Sequence, residues 1–176
     1  MASWIARDFC VLRPIGGALP DAYVKPMNDL YTNVILDAAA SIPAARRLEA
    51  PDATATKSSR VCGSTLTLDI TAEGGRITDF GLDAKACALG QAAASIVARG
   101  LIGAEFAPLM ALRDEMRAML KDGGPPPTDA RFLDLRALES IRDYPQRHAS
   151  TLLIFEAIAD CVNALQAQTA ADPATS

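Results

Sequence analysis

The sequence has few of the features that mark nucleic-acid-binding, secreted or membrane proteins. It carries 17 basic against 21 acidic residues, a net charge of −4, and no basic run longer than the pair Arg46 and Arg47, which argues against a phosphate-tracking surface. No uninterrupted apolar stretch reaches the ~20 residues of a membrane span, and no secretory signal precedes the cysteines. We therefore expect a protein of the reducing cytoplasm, with neither nucleic acid nor membrane as a partner.

Cysteine is scarce, with four residues in 176, at positions 10, 62, 87 and 161. They would allow three disulfide pairings, but the chain is well above the size of a disulfide scaffold. With 50% hydrophobic residues it can bury a core without disulfides or metal. Stability therefore does not require the cysteines.

Neither end of the chain has apolar residues at a regular helix or strand spacing over a long stretch. Residues 1–26 contain a Gly-Gly pair and three prolines, which is typical of a flexible arm, and Met27 is an alternative start that would remove it. We expect the folded domain at residues 27–166 and a disordered, Ala-rich tail at 167–176. No internal repeat appears.

Within that domain the hydrophobic pattern predicts one strand pair and several helices. Thr65 to Thr71 alternate as a strand with one wet face that includes Asp69, and Glu73-Gly74-Gly75 forms a hairpin turn before a returning strand at Arg76 to Leu82. Residues 44–60 are a loop or at most one edge strand. Helices are predicted at 28–42, 87–100, 104–121, 132–141 and 145–165.

The two central cysteines lie at the two ends of that hairpin. Cys62 precedes the outgoing strand, and Cys87 follows the returning strand at the start of a helix of small residues. Because antiparallel pairing brings these two ends together, we expect the two thiols to be close enough to share one metal.

Four stretches in order carry a resemblance to a known family: "LYTNVILD", "CGSTLTLDI", "ACALGQAAAS" and "YPQRHASTLLIFEAI". Together they resemble the iron–sulfur cluster scaffold family of the IscU, SufU and NifU N-terminal type, over about residues 28–165. The resemblance implies an α+β fold with a small antiparallel sheet of about three strands and four to five helices, packed mainly on one face.

The resemblance also implies site residues. The family's first motif is C-G-D, its second is a cysteine before a small-residue helix, and its third is P-x-K-x-H-C or P-x-R-x-x-C. Cys62 and Gly63 match the first motif, Cys87 the second, and Pro145 and Arg147 the start of the third. We therefore expect Cys62 and Cys87 as metal ligands.

Two further positions depart from the family pattern. Ser64 stands where the family has its acidic residue, and Ser150 stands where it has its third cysteine. His148 is one position before the family's histidine, which is Ala149 here. A serine hydroxyl is a poor metal ligand because its proton is far harder to remove than that of a thiol, so Ser64 and Ser150 are expected to be weak cofactor contacts at most.

The resemblance implies a function in iron–sulfur cluster assembly, as a scaffold and not an enzyme. The cofactor would be a cluster or iron, with zinc as another candidate. The partners would be a cysteine desulfurase or other sulfur donor and recipient apo-proteins, with a homodimer forming on cluster binding. With two thiolates per chain, a cluster could bridge two protomers, or one thiol could carry persulfide sulfur.

Two other functions stay open. The chain could be an interaction or regulatory module that keeps the scaffold fold without binding metal. It could also be a thiol-dependent enzyme with Cys87 as nucleophile, although no cysteine–histidine pairing at diagnostic spacing supports this.

Several of these residues also have an ordinary structural interpretation. Ser64 and Ser150 could be polar fillers, and His148 is predicted to lie in a solvated helix start. Cys10 and Cys161 are expected only to fill space, and the Met and Leu stripe from Met110 to Met119 is expected to be core.

Overall fold

The computed structural model describes residues 31–43 and 46–171 as three strands, four α-helices and one 3₁₀ run. In chain order they are α1 (Asn33–Ala40), β1 (Ala53–Ser58), β2 (Thr65–Glu73), β3 (Arg76–Lys85), α2 (Ala88–Leu101), α3 (Phe106–Lys121), the 3₁₀ run (Ala130–Asp143) and α4 (Pro145–Ala171). The predicted α+β class, with a three-stranded antiparallel sheet and five helical segments, is confirmed.

The sheet is antiparallel in the order β1–β2–β3, with β2 in the centre. Gly74 and Gly75 have positive φ angles of 56° and 77° in the turn between β2 and β3, which glycine adopts without strain. Pairing then runs from this turn to Thr65 opposite Lys85. The start of β2 and the end of β3 therefore lie side by side.

One face of the sheet is covered by helices. Leu66, Leu68 and Ile70 of β2 are buried on this face, where α4 packs across β1 and β2 and α2 packs against β3. The thiol of Cys161 lies 3.7 Å from the carbonyl oxygen of Leu68, so this cysteine belongs to the core as expected. The hydrophobic core thus lies between the sheet and the helix pair α2 and α4.

The opposite face is covered locally by residues 46–48, which we call the strap. Asp69 accepts hydrogen bonds from Arg47 Nε at 2.5 Å and from the Leu48 N–H at 3.1 Å. A Cβ atom at Gly81 would lie 2.8 Å from two backbone atoms of the strap, so only glycine fits there. The prediction that Asp69 faces solvent is therefore wrong, because the strap removes its carboxylate from water.

Helix α4 is longer than predicted. It continues from the expected end at Leu165 to Ala171, into the segment predicted to be a disordered tail. Alanine has the highest intrinsic helix propensity, which favours this extension. By length and composition α4 could cross a membrane, but 72% of its most apolar window is buried inside the domain, as in the core helix of a soluble protein.

The remaining predicted segments agree in place and differ in detail. The segment 44–60 contains the edge strand β1, and α1 is shorter than predicted, starting after the N-cap residue Thr32. The expected helix at 132–141 is a 3₁₀ run with a break at Phe132. The predictions for residues 1–26, Met27 and Cys10 lie outside the described residues.

Candidate functional site

Cys62 lies in a tight turn between β1 and β2. The Ser59 N–H donates to the carbonyl oxygen of Ser64 at 2.8 Å, and the Gly63 N–H donates to the carbonyl oxygen of Ser59 at 2.9 Å. Gly63 has a φ of 68°, a left-handed conformation that favours glycine. These bonds close the turn and hold the Cys62 side chain at its rim, where it is half-buried.

Cys87 is the N-cap residue of α2, in an extended conformation with φ of −65° and ψ of 165°. Its carbonyl oxygen accepts the first helical hydrogen bond, from the Gln91 N–H at 2.9 Å. Its own N–H donates to the Ser64 Oγ at 3.3 Å. The β2–β3 register therefore places the start of α2 directly beside the Cys62 turn.

Ser150 reaches the same place from the first turns of α4. Its hydroxyl donates to the carbonyl oxygen of Arg147 at 3.0 Å, and the thiol of Cys87 donates to the Ser150 Oγ at 3.3 Å. Helices α2 and α4 approach closely here, because a Cβ atom at Gly90 would lie 3.0 Å from the carbonyl oxygen of Ser150. This glycine lets the two helix starts meet.

Two serines thus connect the two cysteines. The Ser64 Oγ lies 3.0 Å from the Cys62 sulfur and also accepts from the Cys87 N–H, while the Cys87 thiol donates to the Ser150 Oγ. Ser64 and Ser150 are only 3% and 1% exposed, so both hydroxyls are buried beside the two thiols. We call Cys62, Cys87, Ser64 and Ser150 the thiol site.

The hydroxyl groups change the acidity of Cys62. Burial raises the pKa of its thiol, but hydrogen bonds with the Ser59 and Ser64 side chains and the Ser64 backbone, with a smaller effect of Ser150, outweigh burial and lower the pKa to about 7. Since the thiolate is the form that binds metals and acts as a nucleophile, a large fraction of Cys62 is in the reactive form at neutral pH. The sequence pattern did not single out Ser59, whose Oγ lies 3.4 Å from the Cys62 sulfur.

The site has few side chains that could bind a metal ion. Across residues 31–43 and 46–171, no group of three or more His, Cys, Asp or Glu side chains lies close enough to hold a metal ion. The thiol site offers two thiols and two hydroxyls, whereas zinc and iron–sulfur sites use four thiolate, imidazole or carboxylate ligands. Residues 31–43 and 46–171 of a single chain therefore do not provide a complete four-ligand site.

His148 lies outside the thiol site, and the prediction that it is solvated is wrong. It is 8% exposed, and its Nε2 atom contacts the carbonyl oxygens of Ile141 at 3.0 Å and Arg142 at 3.2 Å. These contacts join the end of the 3₁₀ run to the start of α4. His148 therefore helps to hold the helix turn that carries Ser150.

Cys161 differs from the two cysteines of the site. It is buried in α4, and burial, with the nearby Asp160 and Asp69 carboxylates, raises the pKa of its thiol to about 12. A thiol that stays protonated and buried is inert. Cys161 is therefore a suitable internal control for experiments on Cys62 and Cys87.

Comparison with known proteins finds a matching family and similar solved structures. The sequence model of the family described as "NifU-like N terminal domain" matches residues 30–151. A crystal structure of the N-terminal part of a nitrogen-fixing NifU-like protein from Brucella abortus is 46% identical, with a TM-score of 0.79, over 81% of this chain and 98% of that one.

A second solved structure shows the fold alone, since it is only 18% identical. It is a putative iron–sulfur cluster assembly scaffold protein for the SUF system from the thermophile Fervidobacterium islandicum, with a TM-score of 0.70 over 77% of this chain and 98% of that one. Among curated proteins, no match is found.

Proposed function

The chain belongs to the NifU-like N-terminal domain family, and from this membership we propose that it is a scaffold for the assembly and transfer of iron–sulfur clusters. It would act in the cytoplasm, accept sulfur from a cysteine desulfurase or another sulfur donor, and pass the cluster to recipient apo-proteins. In this role the cluster is cargo, and the chain holds it without catalysing a reaction of its own.

The observation that carries the proposal is the convergence of two half-buried thiols from separate segments. Cys62 comes from the turn before β2 and Cys87 from the start of α2, and Ser64 and Ser150 connect them. Core cysteines need no such arrangement, as Cys161 shows. The low pKa of Cys62, about 7, favours the thiolate that iron requires.

Two thiolates also determine how a cluster would be held. A [2Fe–2S] cluster normally takes four thiolates, and two chains with Cys62 and Cys87 facing each other would provide them. The homodimer would then form on cluster binding. Each of the two chains would hold a shared cluster through only two thiolates, and therefore more weakly. Weaker binding suits a protein that must release the cluster.

The second candidate is an interaction module that keeps the family's fold without the metal. It is favoured by one observation, the absence of a third His, Cys, Asp or Glu side chain beside the two thiols among the described residues. In that case the thiol site would be a remnant, and partners would recognise the surface of the domain.

Anaerobic reconstitution with iron and sulfide separates the two candidates. We expect the wild type to retain about one [2Fe–2S] cluster per two chains after desalting, because four thiolates are needed. Cys62→Ser and Cys87→Ser should each lose most of the iron and the visible absorption of the cluster.

Cys161→Ala is the matched control, because it removes a cysteine outside the site, and it should load like the wild type. A wild type that retains no more iron than the Cys62→Ser, Cys87→Ser double variant would exclude the scaffold function and favour the interaction module. Circular dichroism of every variant establishes that it is folded.

A further inference from the structure

The thiol site has two soft donors, and the described residues add no third ligand of any usual kind. Beyond Cys62 and Cys87, the polar side chains hydrogen-bonded to the two sulfur atoms are the hydroxyls of Ser59, Ser64 and Ser150. No set of three His, Cys, Asp or Glu side chains that could hold a metal exists in the described part of the chain. This donor set is a poor fit to zinc, which is almost always four-coordinate in structural sites.

A different metal class fits two thiolates. Cu(I) is a soft d¹⁰ ion that thiolate ligands select. A linear complex of Cu(I) with two thiolates is stable and needs no further ligand. A site with two thiols, no imidazole and no carboxylate therefore favours Cu(I) over four-coordinate metals within a single chain.

We propose that Cys62 and Cys87 of one chain bind a single Cu(I) ion as a two-thiolate complex. On binding, each thiol loses its proton to solvent and each sulfur forms one bond to copper, so no electron transfer is needed. The complex carries one negative charge, from two thiolates and one monovalent cation.

The surroundings of the sulfur atoms suit that negative charge. The Ser59 and Ser64 hydroxyls can turn to donate to the Cys62 sulfur, at 3.4 and 3.0 Å. Cys87 is the N-cap residue of α2, and its side chain makes no hydrogen bond to the N–H groups of the first turn. Hydroxyl donors and a helix N-terminus both stabilise an anion, and hydrogen bonds around a metal's ligands strengthen binding.

This inference goes beyond the proposed scaffold function and does not depend on it. The scaffold function needs two chains to complete one cluster, whereas the copper site needs only the two cysteines of one chain. Iron–sulfur reconstitution and copper binding can therefore fail separately.

The test is an anaerobic titration of the full chain with Cu(I), in competition with the chelator bicinchoninate. A Cys10→Ser background removes the one cysteine outside the described residues. We expect one Cu(I) per monomer, and X-ray absorption should find two sulfur neighbours and no oxygen or nitrogen ligand. Cys62→Ser and Cys87→Ser should each lower the affinity by at least about 100-fold, while Cys161→Ala leaves it unchanged.

A second measurement uses the wild type alone and so does not depend on the folding of any variant. Bound Cu(I) should protect Cys62 and Cys87 of the wild type from alkylation by iodoacetamide, as located by peptide mass spectrometry. Three results would overturn the proposal. The chelator could remove the copper, alkylation could modify either cysteine in the presence of copper, or X-ray absorption could find three or more ligands. Zinc binding as tight as that of Cu(I) at the same site would overturn it as well.

Discussion

At the scale of single residues, the motifs identified the two thiols but not their environment. Cys62 and Cys87 could be placed from the sequence because each stands at the end of a predicted strand. Ser59 could not, because it lies in a polar stretch without a motif and reaches the sulfur only through the tight turn it closes with Ser64 and Gly63. His148 was predicted to be solvated, because sequence spacing cannot show that the 3₁₀ run covers it.

The two serines allow a direct test of whether the site has lost ligands. The Ser64 and Ser150 hydroxyls lie 3.0 and 3.3 Å from the sulfur atoms of Cys62 and Cys87, respectively. Ser64→Asp together with Ser150→Cys should therefore complete a four-ligand site on an unchanged backbone. Because a carboxylate and a thiolate replace two poor donors, zinc affinity at pH 7 should rise by at least about tenfold, or ~1.4 kcal/mol.

The measurement is a zinc titration against a competing chelator for the wild type, Ser150→Cys and the double variant. Cys87→Ser in the double-variant background is the control, and it should abolish the gain. If the double variant binds zinc no more tightly than the wild type, Ser64 and Ser150 do not occupy ligand positions.

At the scale of secondary-structure elements, the hairpin was predictable and the strap was not. Alternating residues and the Gly74-Gly75 turn specify β2, β3 and their register, which positions both cysteine segments. The strap has no periodic pattern, so its packing over Asp69 could not be predicted. The 3₁₀ run was predicted as a helix because its apolar spacing resembles one.

Asp69 is a buried charged residue of the sheet, because the strap covers its carboxylate. Its carboxylate accepts hydrogen bonds from Arg47, Leu48 and Thr54, and the Arg47 guanidinium holds the pKa of Asp69 below its ordinary value. Asp69→Asn should lower the free energy of unfolding by about 2 kcal/mol at pH 7, because charged hydrogen bonds are lost in a buried place.

Asp79→Asn is the matched control, because Asp79 pairs with Arg46 of the same strap but its side chain is 40% exposed. An exposed pair contributes less than ~1 kcal/mol, so this variant should be nearly as stable as the wild type. Urea unfolding measures both. Equal losses in the two variants would show that the strap does not protect Asp69.

The same pair predicts a pH dependence. Because folding depresses the pKa of Asp69, its contribution is complete above the ordinary carboxyl pKa of ~3.9 and is lost as the pH falls towards the lower folded value. The difference in stability between wild type and Asp69→Asn should therefore shrink below about pH 4.

At the scale of the whole molecule, the fold class and the family were accessible from the sequence, because four short stretches occur in the family's order. The sequence did not show whether one chain provides all the ligands of the site. One chain brings two thiols to one surface. The number of chains that would meet around a cluster depends on that surface, and the hydrophobic pattern of the sequence does not predict how it associates. The proposed scaffold function therefore has its clearest consequence in the number of chains per cluster.

Native mass spectrometry of the anaerobically reconstituted wild type tests this consequence most directly. We expect a species of two chains plus one [2Fe–2S] cluster, which returns to monomers when a chelator removes the cluster and is missing from Cys62→Ser and Cys87→Ser. A cluster held by a monomer, a dimer that persists without the cluster, or equal loading of the two cysteine variants would contradict it.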